Sequence, residues 1–454
     1  MAARVVVEPT GEPVPLSSWR SACPVAEWTA DRRVDPYWQG LWPVGGSQAS
    51  WLSAEVAWRR EEAGLGRVRR ADRRLTAERA RADLLRGCGR WGNGGRRGGV
   101  TRAGQRGAPA SHRHEGRLAS LAAVGMWRTL SAQQVVAMTG FGLGPALTES
   151  MSALWAAGLV ERGELVSGMV GSRLPALFRA CDSTAVDAFL ADLPYREWVA
   201  VTGGQPWTLG PRHDRHNMLT TELGLRIAEY CEVSAVLGES MAGFHLLDPS
   251  GATPTSTTTA ADAVVIRPDG LRVCLETTAN AGSSFERKVD RWVEFLMGAD
   301  HDDLGAVVCF VESARPDDRN ANDLFRTVRR TVERAVGARS GAVRRRLAQR
   351  MFVARWRWWF PAPSSATAGF RTLVAVCPDG TGRDNRWREA HMLDLTDVTF
   401  DPSPALERLE VDFSTLLGTP FWLRQGEPVD LGPVIVSQAG LTELPVPVAV
   451  GSRR

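Results

Sequence analysis

Two acidic residues near the middle of the chain have the spacing needed to face each other across a β-hairpin. Asp262 and Glu276 flank two apolar, β-branched runs that meet at Pro268-Asp269-Gly270, a strong turn signal. If residues 268–270 form a three-residue loop, Arg267 pairs with Leu271, and the same register brings Asp262 opposite Glu276. Their Cβ atoms would then lie about 4.5–5.5 Å apart.

Two carboxylates at this distance repel each other, so the pair needs a metal ion, a basic side chain or a shared proton. Oxygen-rich clusters hold Mg²⁺ through one or two carboxylates together with substrate phosphates. The pattern therefore predicts Mg²⁺ as a cofactor with Asp262 and Glu276 as its ligands. The alternative is a salt-bridge network with Arg272, Arg287 or Lys288 in a fold that does not cleave.

Lys288 is the single lysine among 55 basic residues. Lysine carries a compact charge and a movable proton, which the planar guanidinium of arginine does not offer. The exception therefore reflects either a functional role of Lys288 or chance. Lys288 shares one face of a predicted helix, Ser284–Leu296, with Phe285 and Trp292. From this face it can reach back toward the two carboxylates.

The elements around the hairpin alternate between helix and strand. A helix over His216–Tyr230, which contains Glu222, precedes it. The helix with Lys288 follows, then a buried strand over Ala306–Val311 and a helix over Asn322–Val336. This alternation indicates an α/β domain.

A second compact region begins at Leu118 with a helical pattern that runs to Trp127. Ser131 is the N-cap of a second helix that ends near Met138, and a third helix runs from Pro145 to Ala157, with Gly158 as its C-cap. Two short strands around a glycine-rich hairpin and a helix over Ser183–Leu190 complete the region.

The sequence Ala-Leu-Trp-Ala-Ala-Gly-Leu-Val-Glu-Arg at residues 153–162 resembles the end of a winged-helix recognition helix that continues into its first wing strand. The resemblance covers roughly 65 residues. It implies that the third helix enters the major groove and that basic wing residues contact phosphates. The implied DNA-binding residues are Thr148, Glu149 and Ser152 on the helix, and Arg162 and Arg173 on the wing. A winged helix used for protein contacts is the alternative.

The order of Asp262, Glu276 and a position two residues later is similar to the PD-(D/E)XK nuclease-like superfamily. The order of all elements from about 115 to 380 resembles the replication-relaxation family of plasmids and integrated elements. The resemblance implies catalytic roles for Asp262, Glu276 and Lys288, with Glu222 as an accessory acid. Thr278 stands where the superfamily has its lysine, and Lys288 would replace it, positioning the nucleophile or neutralising developing charge.

Composition limits the class of protein. The chain has 454 residues, 44% of them hydrophobic and 23% charged, and its seven cysteines are dispersed, which argues against zinc and disulfides. No apolar run is long enough to span a membrane and no signal peptide is expected, so we predict a cytoplasmic protein. Between Arg59 and Arg106, 15 arginines stand against five acids, which suggests an anionic partner for this segment.

The run Ala354–Phe360 alternates basic and aromatic residues. On a strand, this alternation places Arg355 and Arg357 on one face and Trp356 and Trp358 on the other. The tryptophans would either stack on bases or cover the sheet.

The expected fold class is therefore α+β, with a winged helix-turn-helix followed by a PD-(D/E)XK-like α/β domain with a mixed sheet. The predicted boundaries are an irregular, Arg/Gly-rich extension at 1–110, the winged helix at 111–200, the nuclease-like domain at 205–380 and a C-terminal extension at 381–454. The predicted function is a mobile-element DNA-binding protein that binds double-stranded DNA and whose nuclease-like domain either cleaves or nicks it with Mg²⁺ or is an inactive scaffold. The alternative is a non-catalytic regulator whose α/β domain forms a homodimer or binds replication or transfer proteins.

Overall fold

The computed structural model describes residues 11–38, 49–53, 80–82, 84–85, 110–141, 150–165, 176–181, 184–209, 213–248, 259–298, 304–381, 386–400 and 415–424. The chain divides into two compact units. Unit 1 comprises residues 1–40 and 222–409, and unit 2 comprises residues 41–221 and 410–454. This division differs from the predicted boundaries in two places. The N-terminal segment is divided between the units after residue 40, and the boundary between residues 221 and 222 falls within the long helix that contains Glu222.

Unit 2 combines helices with a four-stranded antiparallel sheet of order β1-β3-β4-β2. Its elements in chain order are β1 (Ala49–Leu52), α1 (Ala110–Trp127), β2 (Thr129–Ser131), α2 (Ala132–Thr139), α3 (Ser152–Ala156), β3 (Val160–Leu165), β4 (Leu177–Ala180), α4 (Thr184–Ala191), α5 (Tyr195–Thr202) and α6 (Asp214–Tyr230), of which residues 222–230 belong to unit 1.

Helix α2 begins at the predicted N-cap. The Ser131 hydroxyl accepts a hydrogen bond from the Gln134 backbone N–H at 3.2 Å, and the Gln134 side chain accepts one from the Ser131 N–H at 3.0 Å. This reciprocal capping satisfies two N–H groups that have no partner within the helix. The helix ends at Gly140, whose φ of 81° is a conformation that glycine adopts without strain.

The later elements of this region follow the predicted order. The predicted pair of strands is present as β3 and β4, and the predicted helix over Ser183–Leu190 is α4. The third predicted helix is described only from Ser152 to Ala156, since residues 142–149 lie outside the described part of the chain.

Unit 1 is built on a seven-stranded mixed sheet of order β11-β10-β9-β8-β7-β6-β5. Its further elements are β5 (Ala235–Gly238), α7 (Phe244–Leu247), β6 (Ala263–Ile266), β7 (Arg272–Thr278), α8 (Ser283–Gly298), β8 (Ala306–Glu312), α9 (Ala321–Gly337), α10 (Gly341–Arg350), β9 (Met351–Arg355), α11 (Trp356–Trp359), β10 (Val374–Pro378) and β11 (Trp387–His391). Strands β7, β8 and β9 are parallel and the other pairs are antiparallel. The predicted α+β class with a mixed sheet is confirmed at this level.

Helices α8, α9 and α10 pack against one another, and α9 and α10 also contact strands β8 and β9. Phe285, Val289, Trp292 and Leu296 of α8 are buried at helical spacing, so one face of this helix belongs to the core. Strands β7, β8 and β9 are buried along their whole lengths, as expected for parallel strands covered on both faces. None of the helices in the described ranges has both the length and the apolar character that a membrane crossing needs.

The predicted strand over Ala354–Phe360 is wrong beyond Arg355. Strand β9 ends there and residues 356–359 form the short helix α11, whose three tryptophans are buried. Arg355 is also buried and pairs with Glu312 at 3.0 Å, rather than facing water. The alternation therefore reflects two different elements, and the tryptophans serve the core.

Candidate active site

The hairpin register predicted from the sequence is confirmed. Ile266 pairs with Arg272 and Ala263 pairs with Leu275, so Asp262 lies one position before the paired region, opposite Glu276. The loop is closed by a hydrogen bond of 2.9 Å from the Arg267 N–H to the Leu271 carbonyl. β-branched residues on both strands favour this extended pairing, and the turn residues fix its length.

Glu276 lies on β7, and its side chain is only 1% exposed. Its Oε2 accepts a hydrogen bond from Lys288 Nζ at 2.6 Å, and its Oε1 accepts one from Trp292 Nε1 at 2.7 Å. Both donors come from α8, so this helix positions the carboxylate. Burial without such donors would cost several kcal/mol, on the order of the penalty for an unpaired buried charge.

Asp262 is held by the strand that carries Glu276. Its Oδ2 accepts hydrogen bonds from the Thr277 N–H at 2.7 Å and from the Thr277 hydroxyl at 3.1 Å. Its Oδ1 lies 3.8 Å from Lys288 Nζ. The side chain is 13% exposed, so Asp262 is the more accessible of the two acids.

Lys288 occupies the position that the helical spacing predicts. Phe285 and Trp292 of the same helix are buried, and Lys288 lies between them on the face turned toward the sheet. Its side chain is 29% exposed, so the ammonium group contacts both the carboxylates and solvent. The predicted approach of Lys288 to the acidic pair is thus confirmed, whereas Arg272 bonds the Leu246 carbonyl and Arg287 bonds the Ser283 carbonyl.

The charges of the three groups depend on one another. Burial, together with the negative charge of Asp262, raises the pKa of Glu276 to about 7 against the opposing effects of Lys288 and Trp292. For Lys288, burial lowers the pKa, but the charges of Asp262 and Glu276 outweigh this effect and leave the pKa raised. The cluster therefore favours a cation between two acids.

The cluster lies near the carboxyl end of β7, which is parallel to β8. Ligands of α/β sheets bind outside the carboxyl ends of parallel strands, so the location is suited to a reaction site. Within the described ranges, no third histidine, cysteine or acid joins the pair to form a larger metal-binding group. Mg²⁺ is commonly held by one or two carboxylates with water and phosphate oxygens, so Asp262 and Glu276 fit this ion if Lys288 moves off Glu276.

Glu222, predicted as an accessory acid, lies in a different cluster of unit 1. It is fully buried on α6 and accepts hydrogen bonds from Arg33 at 3.0 Å and Arg226 at 3.1 Å. Arg226 also pairs with Asp35 at 2.7 Å, and Arg33 contacts Glu229. The two guanidinium groups neutralise Glu222, and the sequence did not reveal this because Arg33 and Asp35 lie almost 190 positions away.

The predicted DNA-binding residues are only partly described. Ser152 is exposed at the first position of α3, and Arg162 is exposed on β3 beside Glu164 at 3.4 Å. Thr148, Glu149 and Arg173 lie outside the described residues.

Two side chains of the candidate site were not assigned a role from the sequence. Trp292 donates to Glu276, and Thr277 donates twice to Asp262. Trp292 shares the helical face of Lys288, which was a usable signal, because a buried indole N–H needs an acceptor. Thr277 points its hydroxyl across the hairpin, and nothing in the sequence distinguishes it from its neighbour Thr278.

Comparison of the chain with protein-family models, with curated proteins and with solved structures finds no match in any of the three.

Proposed function

We propose that the chain is a mobile-element DNA-binding protein that recognises duplex DNA with a winged helix-turn-helix in unit 2 and nicks it at the Asp262/Glu276/Lys288 cluster of unit 1. The observation that carries the catalytic part is the joint contact of one ammonium group with two acids, 2.6 Å from Glu276 and 3.8 Å from Asp262.

The DNA-binding part is supported by the order of elements in unit 2. Helices α1, α2 and α3 are followed by the antiparallel strands β3 and β4, and the short strand β2 pairs with β4. This order agrees with a helix-turn-helix that leads into a wing. Ser152 on α3 and Arg162 on β3 are both accessible to a duplex.

The catalytic part is supported by the order of elements in unit 1, where a helix, an Asp/Glu hairpin, a lysine-bearing helix and a strand follow one another. Asp262 and Glu276 would hold a Mg²⁺ ion, and such an ion would polarise the scissile phosphate and lower the pKa of a bound water. Lys288 would then leave Glu276 and neutralise charge that develops on the phosphate. Trp292 and Thr277 keep the carboxylates in place.

A second candidate is a non-catalytic regulator that uses unit 1 for dimerisation or partner binding. The contact between Lys288 and Glu276 favours it, because an ammonium group that neutralises the acids removes the need for a metal ion. In this case Lys288 is a structural counter-ion, and the winged helix alone carries the function.

Nicking of supercoiled plasmid DNA with Mg²⁺ separates the two candidates. We expect the wild-type chain to nick, and Glu276→Gln and Lys288→Ala to lose activity by at least about a hundredfold, since Glu276 would hold the Mg²⁺ ion and Lys288 would neutralise charge on the reacting phosphate. Glu229→Gln makes the same exchange in the other buried cluster of unit 1 and should retain activity. Nicking that is absent, or equal in all variants, excludes the enzyme and leaves the regulator.

DNA binding by unit 2 is tested by the salt dependence of duplex affinity. Arg162→Gln should reduce the slope of log K against log salt concentration by about 0.9, the value for one phosphate contact. Arg196, an exposed arginine of α5, provides the matched control. Equal slopes for both variants and the wild type would contradict a role for the wing.

A further inference from the structure

Helices α9 and α10 carry an unusual concentration of arginine. Residues 321–350 contain nine arginines and two acids. Two of the nine are used inside the fold: Arg350 is buried and bonds backbone carbonyls, and Arg329 stacks on Trp387 at 4.6 Å. The other seven give this pair of helices a strongly positive surface.

The arginines of α9 form a row on its outer face. Arg326, Arg330 and Arg334 are exposed at every fourth position, which corresponds to a spacing of about 6 Å along the helix axis. The side chains of Arg326 and Arg334 are 69% and 65% exposed. The opposite face of α9 is anchored in the core by Phe325, Val328, Val332 and Val336.

The corner between the two helices is fixed by another arginine. Arg344 of α10 donates to the Arg339 carbonyl at 2.7 Å and to the Gly337 carbonyl at 3.2 Å, so it caps the carboxyl end of α9. The next residue of α10, Arg345, is exposed to solvent. We call Arg326, Arg330, Arg334 and Arg345 the basic surface.

Neighbouring acids neutralise this surface only in part. Arg326 pairs with Asp323 at 3.0 Å and Arg334 with Glu286 at 3.1 Å, but all four side chains are largely exposed, so these pairs are weak. Among the described residues, Arg330 and Arg345 have no ion-pair partner. The outer face of α8 is different, because acids and arginines are mixed along it: Glu286, Arg287, Asp290, Arg291 and Glu294.

We propose that the basic surface binds the sugar-phosphate backbone of duplex DNA. Arginine forms paired hydrogen bonds with phosphate oxygens, and a row of exposed guanidinium groups on a rigid helix fits a regularly spaced polyanion. Arg334 is joined to Glu286 of α8, the helix that also carries Lys288, so the basic surface adjoins the outer face of that helix. The choice of duplex DNA rests on the proposed function, whereas the charge of the surface does not.

The salt dependence of duplex binding by the full-length chain tests this inference. Replacing Arg326, Arg330 and Arg345 together with glutamine should lower the slope of log K against log salt concentration by about 2.7, since each phosphate contact contributes about 0.9. The control replaces three other exposed arginines of unit 1, Arg20, Arg32 and Arg371, with glutamine. It has the same net charge and should change the slope by less than about 0.9.

Each outcome is decisive. An unchanged slope in the first triple variant, or equal changes in both triple variants, overturns the proposal that the basic surface binds DNA. The proposed function stays intact in this case if Arg162→Gln still weakens duplex binding. A wild-type chain that binds no duplex DNA overturns both proposals. Stronger binding of duplex RNA with the same loss of slope overturns the assignment to DNA. Thermal unfolding of both triple variants checks that the exposed substitutions leave the fold unchanged.

Discussion

Among its described residues, unit 1 contains two clusters of three or more buried acids and bases, and they differ in how far they reach solvent. Arg33, Arg226, Asp35, Glu222 and Glu229 form a sealed cluster, in which no side chain is more than 5% exposed. The Asp262/Glu276/Lys288 cluster is open, since its lysine is 29% exposed and Asp262 is 13% exposed.

The clusters also differ in the base that neutralises the acids. The sealed cluster uses arginine, whose five fixed N–H donors can satisfy several carboxylate oxygens at once. The open cluster uses the only lysine of the chain, whose single ammonium group can leave one acid without breaking a fork of bonds. The difference suggests that the sealed cluster holds the fold together, whereas the open cluster is able to exchange its cation.

The largest expected effect is on stability in the sealed cluster. Arg226→Met removes the partner of Asp35 and one partner of Glu222, so we expect the free energy of unfolding to fall by about 3–5 kcal/mol. Lys288→Met should cost less than about 2 kcal/mol, because Glu276 accepts a proton readily when its cation is lost. Urea unfolding measures both. Equal losses would show that the open cluster is structural too.

The sealed cluster should also make stability depend on pH. The cluster contains three acids and two arginines. Of the two arginines, Arg33 forms an ion pair with Glu229. Burial therefore raises the pKa of Glu229 to about 7, whereas Glu222, which lies between both arginines, has a lowered pKa despite burial.

Because the folded pKa of Glu229 lies above its unfolded value, its contribution is complete below about pH 4.5 and is lost as the pH rises to about 7. Glu229→Gln is neutral throughout, so the stability of the wild type relative to this variant should fall by about 3 kcal/mol over that interval. Unfolding curves at several pH values, with and without Mg²⁺, provide the measurement. A difference that is flat with pH, or that Mg²⁺ abolishes, would contradict a sealed cluster.

The open cluster was predictable because it depends on local patterns. A turn signal fixed the register of Asp262 and Glu276, and helical spacing put Lys288 on the same face as Trp292. The sealed cluster was not predictable in this way. It joins Arg33 and Asp35 to α6 across almost 190 positions, and the segment around them has no periodicity that would indicate burial.

Two further features of the structure were not predicted from local sequence patterns. The pairing of β1 with β3 was not anticipated, since strand addition depends on long-range contacts. The basic surface on α9 and α10 was also missed. The net charge was counted for all residues outside 59–106 together, so the arginines of these two helices were offset by acids elsewhere in the chain.

The most direct test of the central claim is a titration of the full-length chain with Mn²⁺, followed by electron paramagnetic resonance of the free ion. The account predicts a site that Asp262→Asn and Glu276→Gln abolish, that Glu229→Gln leaves intact, and that Lys288→Met retains or tightens because the competing ammonium group is gone. No bound Mn²⁺ in the wild type, or binding that Asp262→Asn leaves unchanged, would contradict it.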